Sequence, residues 1–309
     1  MILKALRRRK NSRIPIKTIE AEATRLGIER KLVKSIVIPV VGADYVEEAK
    51  VAVIFADRFC PDAEEIVVVG DQLGEAFGPL PSRTRVVNVE VDDQVPVDHA
   101  YSTIYKSRVT KLMAPLEAQC DSVLMIDADM VMLQQLNVPL LDGCMYGSFR
   151  HGGMQQKLKK AGRKFRLTEL RGTTRPYLKY HLNSAFLAGS LSTWHKVSKL
   201  WLQYYHGIWG VLPDNQPPTD QLPLCCVLDH LDIRSIETGF WTNWPVSKQI
   251  GGRPARVPNQ VISAHGGFPV SEWYRYLEDP DAELEFIDSN QTRKIRYLNN
   301  EEKTHGAAD

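Results

Sequence analysis

Two carboxylates, Asp127 and Asp129, follow an apolar run that starts at Ser122 and resumes as far as Leu133. Such a run predicts a buried strand of an α/β sheet, with the acids at its carboxyl end, where open sheets bind ligands. In an extended chain, residues two apart point to the same side, so both carboxylates could hold one divalent cation together with a phosphate. The pattern alone fits equally well with two acids that cap the strand or the following helix.

Two kinds of enzyme use such a pair. In the first, a cation on the acids neutralises the diphosphate leaving group of a sugar nucleotide. In the second, a phosphatase of the haloacid dehalogenase type, Asp127 is the nucleophile and Asp129 the general acid, and Val131 also suits the pattern. The phosphatase motif normally ends the first strand of its domain, whereas a full βαβ unit precedes this pair. The later acids Asp229 and Asp232 match the phosphatase pattern poorly.

Polar residues on both sides of the acids are further candidates. Arg108 and Lys111 lie three apart on the preceding predicted helix and therefore share one face. That face either reaches phosphates or is simply solvated. Asn183 and Ser184 interrupt a later apolar strand, where polar groups need partners, which the backbone alone could provide.

The last candidates stand at predicted element ends. Asp220 and Gln221 start a helix, where Asp220 could be an ordinary N-cap. His265 ends a short apolar strand, and it is either a metal ligand or a structural histidine. Gly266 and Gly267 follow it and would let the backbone approach a phosphate.

The elements that would position these residues alternate between strand and helix. Strands are predicted over residues 35–41, 65–70 and 85–91, and helices over 45–59 and 101–119. This βαβ beginning predicts a doubly wound α/β sheet.

Composition narrows the class of protein. The chain has 309 residues and a formal net charge of +2, which argues against a general nucleic-acid binder. Its five cysteines show no CxxC spacing, which indicates reduced thiols in the cytoplasm. No stretch is apolar enough to span a membrane, and the start lacks the pattern of a signal peptide.

Two strongly basic regions flank the predicted core. Residues 1–34 form an N-terminal segment whose cationic cluster, from Lys4 to Lys17, is either a solvated tail or a weak peripheral contact with an anionic membrane surface. Residues 150–182 carry ten basic residues against Glu169 and predict an insertion or flap instead of a core element. Residues 35–275 then form the main domain and 276–309 a C-terminal extension.

Taken in order, the motifs resemble the retaining nucleotide-sugar glycosyltransferases of the GT-A fold, especially the glycogenin and galactinol synthase family (glycosyltransferase family 8). The resemblance extends over about residues 35 to 275. The matching segments are Val40 to Tyr45, Thr110-Lys111-Leu112, Asp127-Ala128-Asp129, Asn183-Ser184-Ala185, Asp220-Gln221 and His265-Gly266-Gly267.

The resemblance implies a GT-A domain, Rossmann-like, with a mixed, mostly parallel sheet and helices on its faces. It implies Mn²⁺ (or Mg²⁺) on Asp127, Asp129 and His265, and transfer of a hexose from a UDP-sugar to a glycan or another hydroxyl acceptor. The remaining roles that it implies are donor binding by Val40, Tyr45 (on the base), Arg108, Ala128, Asn183, Ser184, Gly266 and Gly267, and catalysis by Lys111, Asp220 and Gln221.

Two departures from the family pattern leave a third function open. Ala185 replaces a glycine, and the closing motif, Gly-Phe-Pro-Val-Ser-Glu-Trp, lacks the lysine that binds the diphosphate. Arg275, Lys248 or the basic flap could replace that lysine, or the chain could be an inactive sugar-nucleotide-binding protein. Aromatic residues that either stack on acceptor sugars or belong to the core are Trp201, Tyr204, Tyr205, Trp209, Phe240, Trp241 and Trp244.

Overall fold

The structure is a computed structural model, and it describes the greater part of the predicted domain. The described residues are 14–25, 27, 31–42, 45–71, 73–94, 101–151, 180–209, 219–245, 254, 256–266 and 269–284. The basic cluster from Lys4 to Arg13, most of the predicted flap, Lys248 and Gly267 lie outside these residues.

Strands and helices alternate as the sequence predicts. The strands are β1 Ile14–Pro15, β2 Lys31–Leu32, β3 Ser35–Val40, β4 Glu65–Gly70, β5 Thr84–Asn88, β6 Ser122–Ile126, β7 Met130–Met132, β8 Asn137–Val138, β9 Cys144–His151, β10 Tyr180–Ser190, β11 Arg234–Glu237, β12 Trp244–Pro245 and β13 Ser263–His265. The α-helices are α1 Ile16–Arg25, α2 Val46–Phe59, α3 Ser102–Met113, α4 Leu191–Trp209, α5 Gln221–His230 and α6 Val270–Glu278.

The larger sheet has the strand order β1-β11-β9-β10-β6-β3-β4-β5. Its strands run parallel except where β10 pairs antiparallel with β6 and with β9. The chain leaves β3 through α2 to one side, towards β4, and later returns through α3 to β6 on the other side. The carboxyl ends of β3 and β6 therefore enclose a topological switch point, where ligands bind in open α/β sheets.

Helices cover both faces of the sheet, and this explains why β3 is apolar at nearly every position. Ile36 and Ile38 face α2 in one apolar cluster, whereas Val37 faces α3 in a second cluster on the opposite side. A parallel strand that is buried on both faces loses the alternation of polar and apolar residues. The predicted mixed, mostly parallel α/β sheet is therefore confirmed.

A second sheet of three short strands, in the order β12-β13-β7, lies beside the first. Strand β7 directly follows the acidic pair, and β13 pairs with it antiparallel, so that His265 stands opposite Met130. A third apolar cluster, which includes Phe55 of α2 and Trp273 of α6, packs near this sheet. The sheet brings the C-terminal part of the domain to the end of β6.

The described part of the N-terminal segment packs on the domain. Strand β1 adds in parallel to β11 at the edge of the larger sheet, and α1 buries Ile19 completely. At the other end, Ala282 and Leu284 are buried with the third apolar cluster. The boundaries at residues 35 and 275 stay predictions, but these neighbouring residues share the core of the domain.

Several predicted element bounds need correction. The predicted helix over residues 101–119 ends at Met113 and continues as a 3₁₀ helix over Ala114–Glu117, where Pro115 cannot donate a backbone hydrogen bond. The third strand, predicted over residues 85–91, spans Thr84–Asn88, and the 3₁₀ helix Gly74–Phe77 lies between the second and third predicted strands. Among the described residues, no helix combines the length and apolar character needed to cross a membrane.

Candidate metal and sugar-nucleotide site

The acidic pair lies at the carboxyl end of β6, as predicted, but in a turn instead of an extended strand. The Met130 N–H donates to the Asp127 carbonyl at 3.0 Å, which closes the turn. The Asp127 N–H donates to the Ala185 carbonyl at 2.9 Å and so ties the turn to β10. The alternation of an extended chain is therefore the wrong reason for their proximity, because the tight turn itself directs both side chains to one place.

Asp127, Asp129 and His265 come together as a cluster of candidate metal ligands. One ligand atom of each residue lies within 4.8 Å of the others, and Nε2 of His265 is 3.5 Å from an oxygen of Asp129. The Gly266 N–H donates to the Asp129 carbonyl at 3.0 Å, and Gly266 has a φ of +64°, which glycine adopts without strain. Two carboxylates and an imidazole suit a cation such as Mn²⁺ or Mg²⁺ in chemical type.

Asn243 is a residue of this cluster that sequence reasoning missed. Its Oδ1 lies 3.1 Å from Nδ1 of His265, and its side chain is buried. If Nδ1 carries the proton and donates to Oδ1, Nε2 faces Asp129 as a ligand atom with a lone pair. Asn243 thus accepts the kind of hydrogen bond that fixes the orientation of a metal-bound histidine.

Lys111 lies between two carboxylates on different elements. Its Nζ is 2.6 Å from Asp127 and 2.9 Å from Asp220, and 3.4 Å from the Ser184 hydroxyl, to which it donates. The lysine is only 3% exposed, so these contacts occur away from bulk solvent. The ammonium group therefore joins the metal side of the site to the start of α5.

Arg108 adds a second positive charge to the same region, as its position one turn before Lys111 predicts. Asp220 is the main cause that raises the pKa of the Arg108 guanidinium, against the effect of burial. Burial alone would raise the pKa of the Asp220 carboxyl, but Lys111 and then Arg108 hold it well below its ordinary value. The buried Asp220 is therefore an ionised carboxylate at neutral pH.

A second group of polar side chains lies on β10 and α5. The pairing of β10 with β9 shifts register between Leu182 and Leu187, and Asn183 and Ser184 stand within this irregular stretch. Oδ1 of Asn183 accepts a hydrogen bond from Nε2 of Gln221 at 3.2 Å. The register shift thus gives these buried polar groups side-chain partners within the site.

The residues predicted for the nucleobase lie at the end of β3. Val40 is its last residue and is buried, whereas Tyr45 precedes α2 with 36% of its surface exposed. Tyr45 is close enough to Arg108 to contribute, after Asp220 and Asp127, to the raised pKa of the guanidinium. Ala128 is buried in the turn between the two acids. Of the predicted donor-binding residues, Gly267 alone lies outside the described residues.

Five of the seven aromatic candidates divide into two groups, whereas Tyr204 is partly buried against the second apolar cluster and the side chain of Trp209 lies outside the described residues. Trp201, Tyr205 and Trp244 are buried and belong to the apolar clusters, where the indole of Trp201 donates to the Asp220 carbonyl at 2.8 Å. Phe240 and Trp241 instead remain exposed in a 3₁₀ helix over Phe240–Asn243. These two residues therefore keep the predicted ability to contact a ligand.

Comparisons with known proteins identify the fold. No protein-family model and no curated protein sequence matches the chain. A crystal structure of an active-site mutant of LgtC matches with a TM-score of 0.51 and 15% sequence identity, over 83% of this chain and 98% of that one. A structure of galactosyltransferase LgtC in complex with donor and acceptor sugar analogs gives a TM-score of 0.49 and 15% identity, over 84% and 99% of the two chains. The chain has the GT-A fold.

Proposed function

We propose that this chain is a metal-dependent glycosyltransferase that transfers a hexose from a nucleotide-diphosphate sugar, preferably a UDP-sugar, to a glycan or another hydroxyl acceptor. The main observation is the cluster of Asp127, Asp129 and His265 at the switch point of a GT-A sheet. A solved structure of similar fold, with a TM-score of 0.51, is an active-site mutant of LgtC.

The three candidate ligands fit a divalent cation in chemistry and in spacing. Their oxygen and nitrogen atoms lie within 4.8 Å of one another, which one ion could bridge. A cation bound there would neutralise the charge that develops on the diphosphate as it leaves. Asp127, Asp129 and His265 would hold that ion, and the backbone at Gly266 would lie beside it.

Lys111 and Arg108 provide the fixed positive charge of the site. Because Lys111 is buried between Asp127 and Asp220, it orients both carboxylates at all times. Preorganised charges of this kind lower the barrier without any rearrangement during the reaction. The added charge of Arg108 would compensate in part for the missing C-terminal lysine.

At the sugar end, Asn183, Asp220 and Gln221 would bind the hydroxyl groups of the hexose. An acceptor oxygen forms a bond to the anomeric carbon while the bond from that carbon to the diphosphate oxygen breaks. The electron pair leaves with the diphosphate, and the departing diphosphate oxygen takes the proton of the acceptor hydroxyl. Because Asp220 is buried and paired with Lys111 at 2.9 Å, we assign it to orientation of the sugar instead of nucleophilic attack.

The decisive test is calorimetric titration of UDP with and without Mn²⁺. Wild type should bind UDP in a Mn²⁺-dependent manner, and Asp129→Asn should weaken that binding at least about 100-fold because it removes a ligand charge. Glu64→Gln is the matched control, since Glu64 is an exposed acid before β4 that pairs with Lys34. Unchanged Mn²⁺-dependent binding in Asp129→Asn would refute the assigned site.

The same assay separates the alternatives. A haloacid-dehalogenase-type phosphatase with Asp127 as nucleophile would release phosphate from small phosphoesters with Mg²⁺ and would not bind UDP. An inactive sugar-nucleotide-binding protein would bind UDP with Mn²⁺ but neither transfer nor hydrolyse any sugar in a panel of sugar nucleotides. The transferase releases the nucleoside diphosphate from at least one member of that panel.

We also propose a cytoplasmic location, since all five cysteines are unpaired and four of them are buried. The basic N-terminal segment would then provide a weak contact with an anionic membrane surface. The expected flotation of the chain with vesicles that contain phosphatidylserine should disappear at high salt.

A further inference from the structure

Two neighbouring aromatic side chains stay in contact with solvent beside the metal-ligand cluster. Phe240 and Trp241 are 47% and 38% exposed, and their rings meet edge to face with centroids 5.2 Å apart. The next two residues of the same 3₁₀ helix, Thr242 and Asn243, are buried. An exposed aromatic pair adds little to the core and marks a surface that can bind a ligand.

The position of this helix connects the two ends of the candidate site. It packs against β13, which carries His265, and also against β9 and β10, the latter of which carries Asn183. An acceptor hydroxyl must approach the anomeric carbon to within about 3–3.5 Å, between the diphosphate and the sugar-binding side chains. Phe240 and Trp241 therefore lie on a helix that packs against both the strand of His265 and the strand of Asn183.

The backbone of the helix is held firmly. The Ile262 N–H donates to the Trp241 carbonyl at 2.8 Å, and the Ser263 hydroxyl donates to the Thr242 carbonyl at 2.5 Å. Gly239, which precedes the helix, has a φ of +102°, a conformation that other residues rarely adopt. A fixed backbone lowers the entropy that a ligand would lose on binding to the two rings.

We propose that Phe240 and Trp241 form an aromatic platform on which a hexopyranose ring of the acceptor stacks. This proposal rests on the transferase function and names the class of its acceptor. A pyranose ring presents one face of C–H groups and a rim of hydroxyls. The C–H face matches an uncharged aromatic surface, and the rim can reach polar groups at the edge of the site.

The platform is tested by saturation-transfer NMR with methyl β-glucopyranoside, methyl β-galactopyranoside, lactose and maltose, in the presence of UDP and of Mg²⁺, which is diamagnetic. When resonances of the wild-type protein are saturated, the saturation should be transferred to the ring protons of at least one of these sugars. Trp241→Ala and Phe240→Ala should each weaken that sugar about 5- to 10-fold, whereas Trp241→Phe, which keeps an aromatic face, should lose less.

The matched control is Tyr274→Ala on α6, because Tyr274 is also 38% exposed but its helix packs on α2. This variant should bind the sugars as wild type does, and all variants should keep their Mn²⁺-dependent UDP binding within about twofold. The proposal is overturned if no sugar saturates, if Trp241→Ala binds equally well, or if an octyl detergent binds the platform where sugars do not. If the proposed function itself is wrong, the wild-type protein will not bind UDP, and this outcome is distinct from a failure to bind sugars.

Discussion

Lys111 shows how a single residue can set the charge of a whole site. A lysine that is 3% exposed would be costly to bury alone, but here it contacts two carboxylates and a hydroxyl. The contacts fix Asp127 at the end of β6 and Asp220 at the start of α5. The sequence predicted a positively charged side chain near the acids. The contact of Lys111 with both Asp127 and Asp220 depends on the approach of α5, which the local spacing of residues does not reveal.

The contact between Asn243 and His265 leads to a prediction about a single side chain. Asn243→Ala removes the acceptor for Nδ1 of His265, so the imidazole loses its orientation towards the cation. Mn²⁺ affinity, measured by electron paramagnetic resonance in the presence of UDP, should fall about 10- to 100-fold.

Asn243→Asp is the control because it keeps an oxygen that accepts from Nδ1, and it should retain most of the Mn²⁺ affinity. The midpoint of thermal unfolding in the absence of metal should change little in the Asp variant. If Asn243→Ala binds Mn²⁺ as tightly as wild type, the assigned support of His265 is wrong.

The three residues of the candidate metal cluster could be predicted from the sequence, whereas Asn243 could not. Asp127 and Asp129 follow a strong apolar strand, and His265 precedes two glycines, so each stands at a recognisable element end. Asn243 lies in the aromatic segment Phe-Trp-Thr-Asn-Trp, which has no helical or alternating period. Pairing of β12 with β13 brings it to His265, and such a long-range pairing leaves no local signal.

At the scale of elements, the amino ends of the central strands are joined by Glu65 at the start of β4. Its carboxylate accepts hydrogen bonds from the Ser35 hydroxyl at 2.5 Å, the Gln119 N–H at 2.6 Å and Arg85 at 3.0 Å. Burial raises the pKa of Glu65, but these hydrogen bonds outweigh it, and the pKa lies below its ordinary value. One carboxylate thus joins β3, β4 and β5 to the residues before β6.

The lowered pKa gives a pH prediction with a definite sign. Because the folded state lowers the pKa, the stabilisation by Glu65 is complete above the unfolded value of about 4.3 and disappears as the pH falls through the folded pKa. Glu65→Gln should therefore reduce the free energy of unfolding in urea by about 1–3 kcal/mol at pH 7.

The difference between Glu65→Gln and wild type should become smaller as the pH falls below about 4.3, because Glu65 then takes up a proton first in the unfolded state and, at lower pH, in the folded state. Glu64→Gln, at the exposed neighbouring acid, should change stability by less than about 0.5 kcal/mol at either pH. A difference that stays constant from pH 7 to pH 3 would contradict the role of the charge.

Element prediction succeeded where packing leaves a strong local pattern. The strand over Glu65–Gly70 has the predicted bounds, because a strand buried on both faces is a continuous apolar run. Strands β7 and β12 have three and two residues, too few for any period to appear. Their existence depends on pairing with distant residues, so the smaller sheet could not be predicted.

For the whole molecule, the N-terminal residues offer a test of the domain boundary. Ile19 of α1 is completely buried, and β1 extends the larger sheet through β11. Ile19→Ala should lower the free energy of unfolding by about 2–4 kcal/mol in one cooperative transition, measured by urea denaturation.

Thr18→Ala serves as the control, since Thr18 is exposed on the same helix and should change stability by less than about 0.5 kcal/mol. Mn²⁺-dependent UDP binding of the folded Ile19→Ala protein should be unchanged. If Ile19→Ala leaves unfolding unaffected, residues 14–25 contribute nothing to the domain, and the boundary at residue 35 separates independent parts.

The antiparallel pairing of β13 with β7 has a mechanical consequence. Asp127 and His265 are joined by about 140 residues of chain, so an ion that both side chains ligate would act as a reversible cross-link across a long loop. Such a link lowers the entropy of the opened chain much as a disulfide does, but it forms only while the cation is bound. A cation bound at this cluster would then also fasten the C-terminal part of the domain to the part that contains β3 and β6.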